Sequence, residues 1–343
     1  AFQELVAAHK KSMYLPRALL KIGLIYFNEN QPNKAIAQYK KIVANYPNSA
    51  AAQQAIANAR SVYIDIDMVD AYAEWIQKIE YRNVSDVDLE NAMYAAAENN
   101  YLKNKWKQAI AGFEKYFKNF PSGLHLLKAH FYSGHAYFNL KNNETARTHY
   151  VYVIRQKNNA YTEASLLKLA KFSLQKNEWK TAIPLLKRLE IEANSPQSIL
   201  FAKLNLMKGS YEQKKYKESI AYANKVLNTK KSSLEMKSDA YLYNARSSLK
   251  TQQLKAAQTA YESLEKIARG GQKAEALYYK AYFKNLDKAY ENSNKVIQEL
   301  TAEHASYKKW GVKGLILMAK NYDGLKDAFQ ATYILENVLK NYK

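Results

Sequence analysis

Residues 16–49 read PRALLKIGLIYFNENQPNKAIAQYKKIVANYPNS, and this stretch decides the fold. Counted from Pro16, the eighth residue is Gly23 and the twentieth is Ala35. Tyr26 and Tyr39 fall eleventh and twenty-fourth, Ile42 twenty-seventh and Pro47 thirty-second. The same order recurs along the chain, in units that begin near residues 16, 52, 90, 127, 163, 200, 238, 274 and 312. A period this even is the mark of a repeat architecture.

The eighth and twentieth positions carry the signal. They read Gly23, Ala59, Ala97, Gly134, Ala170, Met207, Ala245, Ala281 and Ala319, then Ala35, Ala71, Ala109, Ala146, Ala182, Ser219, Ala257, Ser293 and Ala331. Seventeen of these eighteen are Gly, Ala or Ser, types that supply 77 of the 343 residues, so chance would place about four. Small side chains at a helix crossing let two axes approach to the usual 8–10 Å. The twenty-fourth position then fills the groove with Tyr39, Trp75, Phe113, Tyr150, Leu186, Tyr261, Ile297 and Leu335, while Ala223 is small. Lys78 breaks the apolar run at the twenty-seventh position of the second unit. Turn and cap residues punctuate the units at Pro47-Asn48-Ser49, Ser85-Asp86-Val87-Asp88, Pro121-Ser122-Gly123, Ser195-Pro196 and Gly270-Gly271. Pro184 falls inside a second helix, where it should cost a hydrogen bond and kink the axis.

This pattern of small, aromatic and proline positions resembles the tetratricopeptide repeat, a helix–turn–helix unit. The resemblance implies an all-α fold: one continuous right-handed α-solenoid superhelix over residues 1–343, of about nine hairpins, with residues 1–15 as the end of a preceding repeat. The start of the chain reads as the second helix of an earlier repeat and its end as a repeat junction, which leads us to expect a piece of a longer array or a chain whose missing ends are disordered. Members of this family are mostly non-enzymatic scaffolds that hold peptides or folded partners. Residues 26–49 and 106–121 are further similar to the bacterial cell-envelope branch, which includes the Tol-Pal accessory protein and the outer-membrane assembly lipoprotein. That likeness implies a periplasmic, outer-membrane-associated interaction protein, as part of an outer-membrane-associated complex, and leaves the cytoplasm open.

Composition narrows the choice of job. With 48% apolar and 24% charged residues the chain is globular rather than disordered. It has no Cys, which excludes disulfides, thiolate metal sites and a thiol nucleophile. Its net charge of +21 favours an acidic partner. Of the 52 basic residues 44 are Lys, and reading bases prefers Arg, so specific nucleic-acid recognition is not expected.

In the repeat family the first helix of each unit, helix A, lines the inner wall. Its second, fifth, ninth and twelfth positions share a face. The ninth position reads Leu24, Arg60, Glu98, His135, Lys171, Lys208, Arg246, Tyr282 and Lys320. Lys171, Lys208 and Arg246 would stand on successive rungs about 10 Å apart. With Tyr211 and Tyr278 interleaved, and with Arg60, His135 and Lys320, they form the expected groove for an acidic peptide or protein surface. The carboxylate grip of the cytosolic chaperone adaptors, Lys fifth and Asn ninth in one helix, occurs in no unit.

No catalytic constellation emerges, and no metal or cofactor site. His125, His130 and His135 are five residues apart and turn away from one another on a helix. The acids Asp65, Asp67 and Asp70 lack the Gly and Glu of a calcium loop and suit capping of the next helix. Phosphate-loop, dinucleotide and hydrolase motifs are absent. Two further readings stay open: an RNA-binding helical-repeat protein, and the helical regulatory segment of a larger envelope enzyme.

Overall fold

The computed structural model describes residues 2–79 and 85–341. A short helix, α1 (Phe2–Ala8), precedes nine helical hairpins. They are α2 (Leu15–Asn28) with α3 (Pro32–Asn45), α4 (Ala50–Asp65) with α5 (Val69–Gln77), α6 (Asp86–Leu102) with α7 (Trp106–Asn119), and α8 (Leu126–Asn139) with α9 (Asn143–Arg155). There follow α10 (Thr162–Gln175) with α11 (Trp179–Glu192), α12 (Pro196–Glu212) with α13 (Tyr216–Leu227), α14 (Leu234–Lys250) with α15 (Leu254–Ile267), α16 (Gly270–Leu286) with α17 (Tyr290–Glu303), and α18 (Lys308–Gly324) with α19 (Ala328–Asn341). The fold is therefore all-α, an α-solenoid of hairpins, with no strand among the described residues. Tyr342 and Lys343, at the C-terminal repeat junction, lie outside those residues. Two compact units divide the chain, Ala1–Ser165 and Leu166–Lys343.

All nine hairpins turn by one device. Each first helix ends in a single residue at positive φ, between 56° and 64°: Asn30, Asp67, Asn104, Lys141, Asn177, Lys214, Gln252, Lys288 or Lys326. The next amide reaches back five residues, as in Gln31 N–H to the Tyr26 carbonyl (2.8 Å) and Lys215 N–H to Ser210 (2.8 Å). Those bonds satisfy carbonyls that a helix end leaves unpaired. None of the nine is Gly, the usual choice at a left-handed C-terminal position. Sequence reading therefore had no glycine to find there.

The small residues lie where the hairpins close. Ala35, Ala97, Ala109, Ala146, Ala170, Ala182, Ala245, Ala257 and Ala281 are fully buried, and so are the larger Met207 and the serines Ser219 and Ser293. A Cβ on Gly23 would run into the Tyr39 ring, so only glycine fits that crossing. Tyr39, Phe113, Tyr150, Leu186, Tyr261 and Ile297 fill the groove beside them as expected.

The second hairpin departs from the expected register. Its left-handed residue, Asp67, comes eight residues after Ala59, whereas the interval is seven in the other hairpins. One extra residue in α4 therefore shifts α5 by one place. Tyr72 and Ile76 take the buried positions that the sequence assigned to Ala71 and Trp75, which are only half-buried, and Lys78 points outward. Tyr63, Tyr72 and Trp75 pack ring against ring to fill the space. The acids of this turn do not cap α5, whose N-terminus has no side-chain cap. Asp65 instead pairs with Lys103 (3.1 Å) and Asp70 with Lys115.

Local chemistry at the other junctions follows the sequence more closely. Ser49 accepts the Ala52 amide, and Ser85 with Asp88 forms a reciprocal capping box at the start of α6. The Pro121–Gly123 turn is anchored by the buried Glu90, which accepts from the Tyr116 hydroxyl (2.6 Å) and the Leu124 amide (2.5 Å). Helix α11 runs through Pro184, which sits on the exposed side, where water can reach the carbonyl it leaves unbonded.

Candidate functional site

Successive first helices touch through two positions of the repeat. The ninth residue of one meets the second residue of the next, about thirty residues on. In the first unit Lys128 pairs with Glu98 at 2.6 Å. In the second unit Lys208 pairs with Asp239 at 2.6 Å, and Arg246 grips Glu275 through both Nε (2.7 Å) and Nη2. Glu275 is only 3% exposed and also accepts from the Tyr261 hydroxyl at 3.0 Å. Its carboxylate holds the Arg246 guanidinium above its ordinary range. Burial, more than the nearby carboxylate, pushes the Tyr261 hydroxyl upward.

The expected groove residues fall on or beside this ladder. Arg60 reaches Asp88 at 3.1 Å, and hydrogen bonds from Ser85, more than Arg60, keep that carboxyl below the usual carboxylate range. His135 Nδ1 lies 2.6 Å from the Tyr101 hydroxyl, with the Trp106 ring edge-on to the imidazole. Burial first, then Tyr132, raises the Tyr101 hydroxyl to about 12. Tyr211 stands edge-on to Tyr216 and Tyr243. Tyr278 leans on Trp310 at 5.4 Å, with the Lys313 ammonium over its face. Lys320 is exposed on α18. Lys171, also exposed, lies over the Phe201 ring at 5.6 Å.

The structure thus brings Lys208 and Arg246 onto neighbouring rungs, and both act electrostatically on the Tyr243 hydroxyl. It does not leave them as free charges, because an acid of the following helix answers each. Those acids were legible as charges of opposite sign about thirty residues downstream of each cation. Reading one helix face at a time hides them.

The first unit has a different character along and beside its first helices. Tyr101 stacks on Tyr132 (4.1 Å), Tyr94 on His125 (4.3 Å) and Phe131 on Tyr161 (4.6 Å). The Lys128 ammonium crosses the faces of Tyr94 and Tyr132. Among the described residues no group of three metal-ligating side chains converges, and no helix is long and apolar enough to cross a membrane.

Two of these hairpins carry a recognisable family signature. Residues 17–49 and 91–123 match the tetratricopeptide repeat. The first match covers most of α2 and α3 and the second most of α6 and α7, so the family pattern falls on hairpins whose small residues are buried. Solved structures with tetratricopeptide or similar folds resemble the chain at low identity. The C-terminal part of a tetratricopeptide repeat-containing protein from Cytophaga hutchinsonii is 17% identical over 75% of this chain and 98% of that one, with a TM-score of 0.46. The pilF protein of Pseudomonas aeruginosa is 14% identical over 65% of this chain and 95% of that one (TM-score 0.34). The apo form of the quorum sensor NprR from B. thuringiensis is 15% identical over 94% and 97% of the two chains (TM-score 0.37). No curated protein matches the sequence.

Proposed function

We propose that this chain is a non-enzymatic scaffold that binds a peptide or protein along the face formed by its first helices. The observation that carries this reading is the chemistry of that face. Apart from the buried Tyr63 and Glu275, its ninth, second and twelfth positions are half-exposed or exposed, and the charged Arg60, Lys171, Lys313 and Lys320 stand among them. Tetratricopeptide hairpins in general serve as interaction scaffolds, and nothing on this face is arranged for bond chemistry.

The partner we propose is acidic. Residues 166–343 contain 32 Lys and Arg against 17 Asp and Glu, so most of the net charge belongs to the second unit. A field of this sign concentrates and orients anionic surfaces. The compartment we propose is the periplasm, at the outer membrane. Its support is the similarity of residues 26–49 and 106–121 to envelope repeat proteins.

Photo-crosslinking tests the binding reading. A crosslinking residue is placed at Tyr278 or Lys320 on the first-helix face, and at Glu262 on the outside of α15, in the tagged chain expressed in its host. A discrete adduct formed only from the first-helix face is expected. Equal crosslinking from Glu262, or no adduct from any site, would sink the scaffold proposal. Fractionation of the same cells checks the compartment.

A further inference from the structure

In the second unit one rung sets its ninth-position cation against a ring rather than an acid. Lys208 meets Asp239 and Arg246 meets Glu275, each joining the ninth position of one repeat to the second position of the next. One step earlier the ninth position is again a cation, Lys171, but the second position of the next repeat is Phe201. The ammonium therefore rests on a ring at 5.6 Å instead of on a carboxylate. A cation–π contact at an exposed site is weak and leaves most of the ammonium's hydration and charge available. Lys171 is indeed exposed, unlike the half-buried Lys208 and Arg246.

A second cation stands on the same side of this helix. Lys168 lies three residues before Lys171, so the two ammonium groups share one side of α10. Lys168 is half-buried, and burial together with the Lys171 charge lowers its proton affinity. The rung itself accepts a pair of either polarity, as the reversed Glu98–Lys128 pair of the first unit shows. What is missing at Lys171 is only the carboxylate.

Resting on the scaffold reading above, we propose that Lys171 is an open rung, completed by a carboxylate from an acidic polypeptide segment of the partner. The Phe201 ring offers an apolar floor for the carbon stem of that Asp or Glu side chain. On this account the partner supplies from outside the charge that Asp239 and Glu275 supply from within.

The test uses the full chain and a fluorescent oligoglutamate peptide, read by anisotropy at low salt, with oligoglutamine as the uncharged probe. The native chain should bind oligoglutamate and not oligoglutamine. Lys171→Met keeps the stem over Phe201 and removes the charge, and it should weaken binding about tenfold. Phe201→Glu installs the missing acid and should weaken binding by a similar factor, with folding checked by circular dichroism. Lys255→Met removes an exposed cation of α15, away from that face, and should change binding less than twofold. No binding by the native chain, unchanged binding in Lys171→Met, or equal losses in Lys171→Met and Lys255→Met would each overturn the open rung. Free glutamate, added at matched carboxylate concentration, separates the sources. It should compete poorly, and full displacement would assign the rung to small anions rather than to a polypeptide. A partner that still crosslinks at Tyr278 in Lys171→Met but binds with native affinity would remove this rung and leave the scaffold reading standing.

Discussion

His130 and His149 face each other across the fourth hairpin with their Nδ1 atoms 2.9 Å apart. One ring must donate and the other accept, so the contact holds while at least one Nδ1 lacks a proton. Phe117 and Tyr152 stack on His130, and Tyr137 lies parallel to His149. The Tyr137 hydroxyl donates to Glu114 at 2.5 Å. The five-residue spacing of His125, His130 and His135 gave no hint of this pair, because the partner ring comes from the other helix.

Burial lowers both imidazoles to about 4, with the His149 charge adding to the effect on His130 and Glu114 opposing it on His149. An unfolded His titrates near 6.5. Between that value and about 4 the unfolded chain takes up protons that the folded hairpin refuses, so stability falls as pH falls. Melting temperature measured from pH 7.5 down to 5 should decline in the native chain. The decline should be shallower in His149→Phe, which removes one of the two groups. Parallel pH profiles would show that the pair does not carry the loss.

Two glycines should respond in opposite senses to Ala. A Cβ on Gly112 would stand 2.8 Å from the Ala97 Cβ and 3.1 Å from its Cα, so α6 and α7 would have to separate. Overpacking of this kind costs about 1–3 kcal/mol. Gly311 in α18 has nothing within 4 Å of the added carbon. Gly311→Ala should stabilise by up to about 1 kcal/mol through helix propensity. Urea unfolding of the two variants reads the contrast.

The shifted register of the second hairpin predicts unequal tolerance at two alanines of the same nominal position. Ala109→Leu should cost about 1–3 kcal/mol or unfold its hairpin, since the site is fully buried against neighbouring helices. Ala71→Leu should change stability by less than about 0.5 kcal/mol, because the side chain is half-exposed and Tyr72 does the packing. Equal losses in thermal melts would restore Ala71 to the crossing.

Glu275→Gln tests the ladder itself. The amide keeps the shape but loses the charge that Arg246 and the Tyr261 hydroxyl share. A loss of about 2 kcal/mol is expected, short of that for a fully buried pair because the guanidinium stays about one-third exposed. Arg246→Met in the Glu275→Gln background should add little further, which a double-mutant cycle would measure.

Residue order alone determined the hairpin count, the turns between units and most of the crossings, because a crossing favours a small side chain and that demand recurs in most units. Gly23, Ala97, Ala109 and Ala245 announce themselves on these grounds. The shift at Asp67 was hidden, since one extra residue inside α4 leaves Ala59 and Ala71 both looking correct, and only the burial of Tyr72 reveals it. Tertiary structure alone decided which cations are spent. Lys171, Lys208 and Arg246 look alike in the chain. Their fates differ because the second position of the next repeat, some thirty residues away, is a ring in one case and a carboxylate in the other two.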